Sequence, residues 1–354
     1  METKNKYTEL KFLVVGLGSM GKRRIRNLQQ LEIKNIDGFD LRSDRKEESK
    51  SKYGVTIIDN VEEAVSKNNY QAIIISVPPA KHHLYIKIAL KYSLHFFVEA
   101  SVLDTGIAEA IEEIKTKKIV AAPSSTLFFH PAVKIIHALI SQNAIGKTSH
   151  VTYHSGQYLP DWHTYESVSD YYVSHKETGG AREIVPFELT WLTKLFGWPQ
   201  FVSGINVKTI NIPGAETIDD TYHILLHEEN YNLSLTVDTV SRYAVRNLLI
   251  NGSDGMIKWT WENNYVEIFS ASNNEWNKVE FKKENAQPGY NENIIENMYV
   301  EELQQFIDTT LGTTTFFNTM EYDFVILQLL YTIEKSWSTK TILPCDKTSL
   351  INNK

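Results

Sequence analysis

A short apolar run, Lys11-Phe12-Leu13-Val14-Val15, breaks directly into Gly16-Leu17-Gly18-Ser19-Met20-Gly21, and a stretch of helical character from Lys22 to Leu31 follows at once. This order limits what the start of the chain can fold into more than any other feature. In the spacing G-x-G-x-x-G, the first glycine permits a tight turn off a strand. The second lets backbone come close to a pyrophosphate, and the third lets the helix pack tightly on the strand. The helix that begins there presents unpaired N–H groups and the positive end of its dipole to an anion. The pattern predicts a strand–turn–helix unit shaped for a dinucleotide, with Gly16, Gly18, Ser19, Met20 and Gly21 around the phosphates.

Asn35 to Asp40 reads as a second strand, and Asp40 lies 22 residues after Gly18. That is close to the ~20-residue spacing of a carboxylate that accepts the ribose hydroxyls of an adenosine. A carboxylate there repels a 2′-phosphate, so NAD is expected ahead of NADP. Arg42, two residues on, can pair with a phosphate and keeps NADP open.

The stretch from Ser43 to Lys52 reads as a solvated helix, Gly54 to Ile58 as a strand and Val61 to Lys67 as a short helix. Tyr70 to Val77 is the strongest strand, and its unbroken apolar run suits a central parallel strand covered on both faces. Pro78-Pro79 stops it and fixes a loop at its carboxyl end, where ligands sit in doubly wound sheets. Helix Lys81–Lys91, strand Leu94–Val98, helix Thr105–Lys117 and strand Lys118–Ala122 complete an alternation that predicts a parallel sheet with right-handed crossovers. The expected first domain is 1–123, an α/β Rossmann domain with a doubly wound parallel sheet.

Beyond Pro123 the pattern changes. Pro131 to Gln142 reads as a helix and Lys147 to Gln157 as a strand. Tyr158 to Thr178 reads as an irregular, aromatic-rich segment, and Glu183 to Phe196 as a helix whose Pro186 fits only in its first turn. Six strands between Phe201 and Ser270 follow, with turns such as Asn251-Gly252 and Asp254-Gly255 between them. Two helices close the chain, Asn293–Leu311 and Glu321–Trp337. This predicts a second domain, 124–354, of α+β class with a large, mostly antiparallel open sheet.

A net charge of −7 over 354 residues, with no basic cluster longer than Lys22-Arg23-Arg24, argues against a nucleic-acid partner. The single cysteine, Cys345, excludes a disulfide framework and a cysteine-built metal site. No apolar run approaches the ~20 residues of a membrane span, and no secretory signal is visible at the polar N-terminus. A cytoplasmic protein without a membrane partner or a metal is expected.

These residues together resemble the GFO/IDH/MocA oxidoreductase family over nearly the full chain. The marks are Gly16 to Arg23, Pro78-Pro79 followed by His82, Glu99 at the end of the fifth strand, and Ala144-Ile145-Gly146-Lys147 before a strand. Gly179-Gly180 before a helix ending Leu195-Phe196-Gly197 completes the series. The resemblance implies that Val77, Pro78, His82 and Glu99 join the glycines and Asp40 around NAD. It further implies a sugar, nucleotide-activated sugar or polyol substrate, with a role in surface-polysaccharide or acidic-sugar synthesis. A homodimer or homotetramer through the second domain's sheet is also implied.

Two positions depart from the family pattern. Glu99 is followed by Ala100-Ser101 where the family has lysine and proline. Phe187 takes the place of a histidine, with Glu183 near the position of an acid and Glu188 adjacent. Hydride transfer to nicotinamide needs a base for the hydroxyl proton. The expected replacements lie between Gln157 and Glu188: His163, His175, Lys176 or Glu188 for proton transfer, and Tyr158, Trp162, Tyr172, Arg182 and Glu183 for binding. The leading expectation is an NAD-dependent sugar dehydrogenase. Loss of the usual pair leaves open a catalytically quiet NAD-binding sensor or scaffold, and a redox-neutral enzyme with tightly bound NAD.

Overall fold

The computed structural model describes residues 6–162, 166–170, 172–283, 286 and 291–352. The chain divides into two compact units, Met1–Thr126 with Asn297–Phe324, and Leu127–Glu296 with Val325–Lys354.

The first unit alternates β1 (Lys11–Val15), α1 (Ser19–Gln30), β2 (Asn35–Phe39), α2 (Ser43–Tyr53), β3 (Thr56–Ile57), α3 (Val61–Lys67), β4 (Ala72–Ile75), α4 (His82–Lys91), β5 (His95–Val98), α5 (Ile107–Lys115) and β6 (Ala121–Pro123). The strands form one parallel sheet in the order β3-β2-β1-β4-β5-β6. This is the Rossmann order, which reverses direction at β1 and β4 and opens a crevice there at the strands' carboxyl ends. Every residue of β4 is buried, as its run of isoleucine predicts.

The second unit begins with α6 (Pro131–Ser141) and β7 (Thr148–Gly156). Single 3₁₀ turns at Leu159–Asp161, Val168–Asp170, Tyr172–Ser174 and Lys176–Thr178 lead into α7 (Gly180–Phe196). Then come β8 (Phe201–Val207), β9 (Thr221–Glu228), β10 (Tyr231–Asp238), β11 (Val245–Gly252), β12 (Gly255–Thr260), β13 (Tyr265–Ser270) and β14 (Glu275–Glu280). The chain returns to the first unit with α8 (Asn297–Thr310). It ends through α9 (Met320–Thr339), β15 (Leu343–Pro344) and α10 (Lys347–Asn352). The sheet runs β14-β13-β12-β11-β7-β10-β9-β8-β15, antiparallel except where β7 lies parallel to β10.

Three details depart from the sequence reading. Helix α7 begins at Gly180, so Pro186 falls in its second turn, where it has no N–H to offer the Arg182 carbonyl. Strands β14 and β15 are absent from the reading: β14 is a mostly polar edge strand with almost every residue exposed, and β15 is only two residues long. The segment Asn297–Phe324 clusters with the first unit, although the expected boundary assigned all of 124–354 to the second.

The reason for that return is apolar. Leu303, Phe306 and Ile307 of α8 and Phe316 beyond it join Phe12, Val14, Leu28, Ile74 and Phe97 in one core. Phe97 meets Phe306 at 5.6 Å and Phe316 at 6.3 Å between ring centres. In the second unit α7 covers one face of the sheet, with Trp191 edge-on to Tyr153 at 5.2 Å. The opposite face leaves Phe201, Ile205 and Leu225 exposed. Among the described residues no helix is long and apolar enough to cross a membrane.

Phe306→Ala tests the return of α8. Removing a fully buried ring should lower the unfolding free energy by about 3–5 kcal/mol in urea titration. A loss below about 1 kcal/mol would mean that α8 does not carry this core.

Candidate functional site

In the first unit the glycine-rich turn is held by close backbone approach. Gly16 has φ +89°, and a β-carbon there would sit 2.4 Å from the Ser76 carbonyl oxygen and 3.0 Å from Val77 Cγ1. A β-carbon on Gly21 would lie 1.7 Å from the Gly16 carbonyl oxygen. Neither position admits a side chain, so the end of β1, the end of β4 and the start of α1 meet in one tight knot. Gly18 caps α1 with no side-chain hydrogen bond. The N–H groups of Ser19, Met20 and Gly21 belong to the first helical turn, which has no intrahelical acceptors for them.

Asp40 is buried at the end of β2. Its Oδ2 accepts the Leu17 N–H at 2.7 Å and its Oδ1 the Arg42 N–H at 2.9 Å. The carboxylate is thereby oriented beside the glycine turn, and each oxygen keeps a further lone pair for a ribose hydroxyl. Arg42 is exposed and paired with Asp44 through Nε at 3.1 Å and Nη2 at 2.7 Å. Arg45 lies closer to the turn, its Nη1 3.9 Å from Asp40 Oδ2. The glycine cradle and the oriented carboxylate fit a dinucleotide.

The strand ends beyond the turn are tied to one buried cation. Arg24 of α1 is wholly buried. It donates from Nε and Nη2 to the two Glu99 oxygens at 2.8 and 2.9 Å, and its Nη1 lies 3.0 Å from Glu302 Oε2. Ser76 donates to Glu99 at 3.1 Å. Glu302, on α8, also accepts from the Ser125 N–H at 2.6 Å and the Thr126 hydroxyl at 2.8 Å. Burial alone would weaken the charge of Arg24, but the two carboxylates outweigh it and hold the guanidinium protonated. Burial raises the Glu302 pKa, against the lowering pull of Arg24.

His82 is buried, and burial pushes its pKa down to about 4. As a neutral ring it donates from Nε2 to the Val77 carbonyl at 3.0 Å. This bond fixes the loop through Val77 and Pro78. Ser101, in the segment where the family's lysine and proline are missing, hydrogen bonds to Asp323. Burial lifts the Asp323 pKa to about 7, and its Oδ2 has no partner among the described residues.

In the second unit Glu188 is fully buried. It accepts from Ser155 Oγ at 2.8 Å, Tyr153 Oη at 3.0 Å, Trp191 Nε1 at 2.7 Å and Arg246 Nε at 3.3 Å. These four donors make it an anchor of α7 on the sheet, which is at odds with the proton-transfer role expected for it. Arg182 is likewise committed, to Glu334 at 2.6 Å and to the Glu177 carbonyl at 2.5 Å. His175 and Lys176 are exposed at the last 3₁₀ turn. His163 lies outside the described residues.

Tyr158 and Trp162 are half-buried; the Arg242 guanidinium stacks over the Tyr158 ring at 3.9 Å. Trp162 and Tyr172 pack on a small apolar cluster of Leu159, Val173, Ile212, Ala215 and Ile218. The Tyr172 hydroxyl donates to Glu183 Oε1. Sequence reasoning missed Glu302 and Asp323, and it gave no role to Arg24, named only within the basic cluster Lys22-Arg23-Arg24, or to Ser101, named only where the family pattern is broken. Among the described residues no group of three His, Cys, Asp or Glu side chains could hold a metal ion.

Two outcomes are expected. Gly21→Ala forces its methyl into the Gly16 carbonyl and should weaken NADH binding at least about tenfold by calorimetry; unchanged affinity would contradict the cradle. Asp323 titrates near 7 in the fold, above an unfolded aspartate, so its contribution to stability is complete below the unfolded value. It is lost as pH rises through about 7. Asp323→Asn should flatten that decline in melting temperature, and parallel curves for both proteins would refute the assignment.

Residues 10–118 match the profile of the GFO/IDH/MocA family, described as an oxidoreductase family with an NAD-binding Rossmann fold. No curated protein matches by sequence. Among solved structures, levoglucosan dehydrogenase in complex with NADH and L-sorbose superposes with a TM-score of 0.81 at 14% identity, covering 96% of this chain and 100% of that one. The myo-inositol 2-dehydrogenase of Lactobacillus plantarum gives 0.79 at 17% identity, covering 95% and 99%. An oxidoreductase domain protein from Kribbella flavida gives 0.80 at 15% identity, covering 96% and 100%. Residues 10–118 are thus similar to the GFO/IDH/MocA oxidoreductases with their NAD-binding Rossmann fold, and the chain as a whole shares its overall fold with these structures.

Proposed function

We propose that the protein is an NAD-dependent dehydrogenase that oxidises a secondary hydroxyl of a sugar, an activated sugar or a related polyol. The observation that carries this reading is the cradle of Gly16, Gly18 and Gly21 with Asp40 oriented beside it. Bound NAD accepts the hydride in such chemistry. The chain's own residues bind and orient it: the α1 N-terminus takes the phosphates, Asp40 a ribose, and the loop fixed by His82 closes on the same crevice. A substrate rich in hydroxyl groups suits the half-buried aromatic rings of Tyr158, Trp162 and Tyr172, whose faces cover the C–H side of a sugar ring. The two named dehydrogenases of this fold support the class, one acting on levoglucosan and the other on myo-inositol.

Asp40 favours NAD over NADP by charge, and Arg42 is engaged by Asp44. Purified protein with NAD and a panel of sugars, sugar nucleotides and inositols should produce nicotinamide absorbance with at least one of them. Tight NADH binding with silence across the panel would instead favour a quiet NAD-binding protein, a reading that Ala100 in place of lysine supports.

The open face of the second sheet supports pairing with a second copy of the chain. Phe201, Ile205 and Leu225 stand on it, with the Phe269 and Trp276 rings in tilted contact at 5.3 Å on its far strands. Leu225→Glu should shift the mass in analytical ultracentrifugation from dimer or tetramer towards monomer. A wild-type protein that sediments as a monomer would contradict the interface.

A further inference from the structure

Glu183 sits in the first turn of α7 with its carboxyl end buried, and only two influences act on it appreciably. Burial raises its pKa to about 7, against the lowering pull of a hydrogen bond from Tyr172. Its Oε1 takes the Tyr172 hydroxyl, while Oε2 is buried with no partner among the described residues. A buried carboxyl with one oxygen unsatisfied costs stability. Glu188, five residues on, shows how this helix satisfies an acid that serves packing, with four donors around it. Glu183 has no such shell.

Among the described residues, the elements against it offer no compensating charge. On the turns Tyr172–Ser174 and Lys176–Thr178, His175, Lys176 and Glu177 are exposed. Arg182, its chain neighbour, is bound to Glu334. On β9 the Tyr222 hydroxyl is bound to Glu334 at 3.0 Å, and β10 turns Leu233, Leu235 and Val237 inwards. What reaches Glu183 is the phenol of Tyr172, a half-buried residue of the aromatic segment.

We propose that Tyr172 and Glu183 form the proton-transfer couple of the reaction, with Tyr172 as the group that meets the substrate hydroxyl and Glu183 as the proton store behind it. This rests on the dehydrogenase reading. As the C–H hydride leaves for NAD, the substrate hydroxyl gives its proton to Tyr172 Oη. The phenolic proton passes to Glu183 Oε1 in the same event. The products are the ketone, NADH and a protonated Glu183, which later returns its proton to water. A base poised near neutrality suits this task, since a substantial share of it is ionised at neutral pH and it still accepts a proton.

The test is the pH dependence of polyol oxidation by the wild type, Glu183→Gln, Glu183→Asp and Tyr172→Phe. Wild-type kcat/KM should climb about tenfold per pH unit below a midpoint near 7 and then level off. Glu183→Gln and Tyr172→Phe should each lose about 100-fold in kcat and abolish that limb, with NADH affinity within about threefold of wild type. Glu183→Asp, which keeps the carboxylate, should recover part of the rate. A wild-type profile with no limb near 7 overturns the couple without any variant. So do active variants, within about threefold of wild type, that keep the limb. A wild type that turns over no polyol overturns the dehydrogenase reading, and the couple falls with it.

Discussion

Arg24 gives its charge to two carboxylates at once, Glu99 at the end of β5 and Glu302 on α8, with no solvent to share the load. Removing one member of such a buried set leaves an uncompensated charge, at a typical cost of about 3–5 kcal/mol. The arrangement therefore fixes three things together. The helix that starts at the glycine turn is locked to the carboxyl edge of β5, and α8 is locked to the turn after β6 through Ser125 and Thr126. Glu99 is left oriented at the edge where a doubly wound sheet binds its ligand. The apolar contacts of Phe97 with Phe306 and Phe316 lie in the same unit and cover the sheet face from which α8 approaches.

The second unit handles its buried acids differently. Glu188 is surrounded by donors and Glu334 is paired with Arg182 and Tyr222. Among the described residues Glu183 is left with one hydroxyl. Five helical residues correspond to a rotation of about 140°, which turns Glu188 onto the sheet and Glu183 towards the 3₁₀ segment. Two glutamates of one helix thus acquire different surroundings: Glu188 has four donors around its carboxyl, and Glu183 has one among the described residues, with burial raising its pKa to about 7. Such environments are where acid–base chemistry is found, because the same desolvation that costs stability brings a carboxyl into the working range of pH.

Much of the first unit is legible in the chain because its determinants are local. A glycine that must adopt φ +89° beside a carbonyl, an apolar strand stopped by two prolines, and an aspartate at fixed distance all announce themselves within a few dozen residues. Glu302 and Asp323 do not, since each meets its partners across roughly two hundred residues or more of chain, and no periodicity encodes that meeting. The return of Asn297–Phe324 was hidden for the same reason: an amphipathic helix does not say which sheet it covers. Strand β14 escaped because its side chains are mostly polar and nearly all exposed, so no alternation marks it. In the candidate substrate segment the residue types were readable, but the sorting of Glu183 from Glu188 depended on helix phase and on which donors the sheet supplied.

Deuterium labelling addresses the central claim most directly. A polyol carrying deuterium on the carbon to be oxidised, incubated with the protein and NAD, should yield singly deuterated NADH by mass spectrometry, with a ketone formed in equal amount. Bound NAD that remains free of deuterium across sugars, activated sugars and inositols would contradict the account and leave the cofactor cradle as a binding site alone.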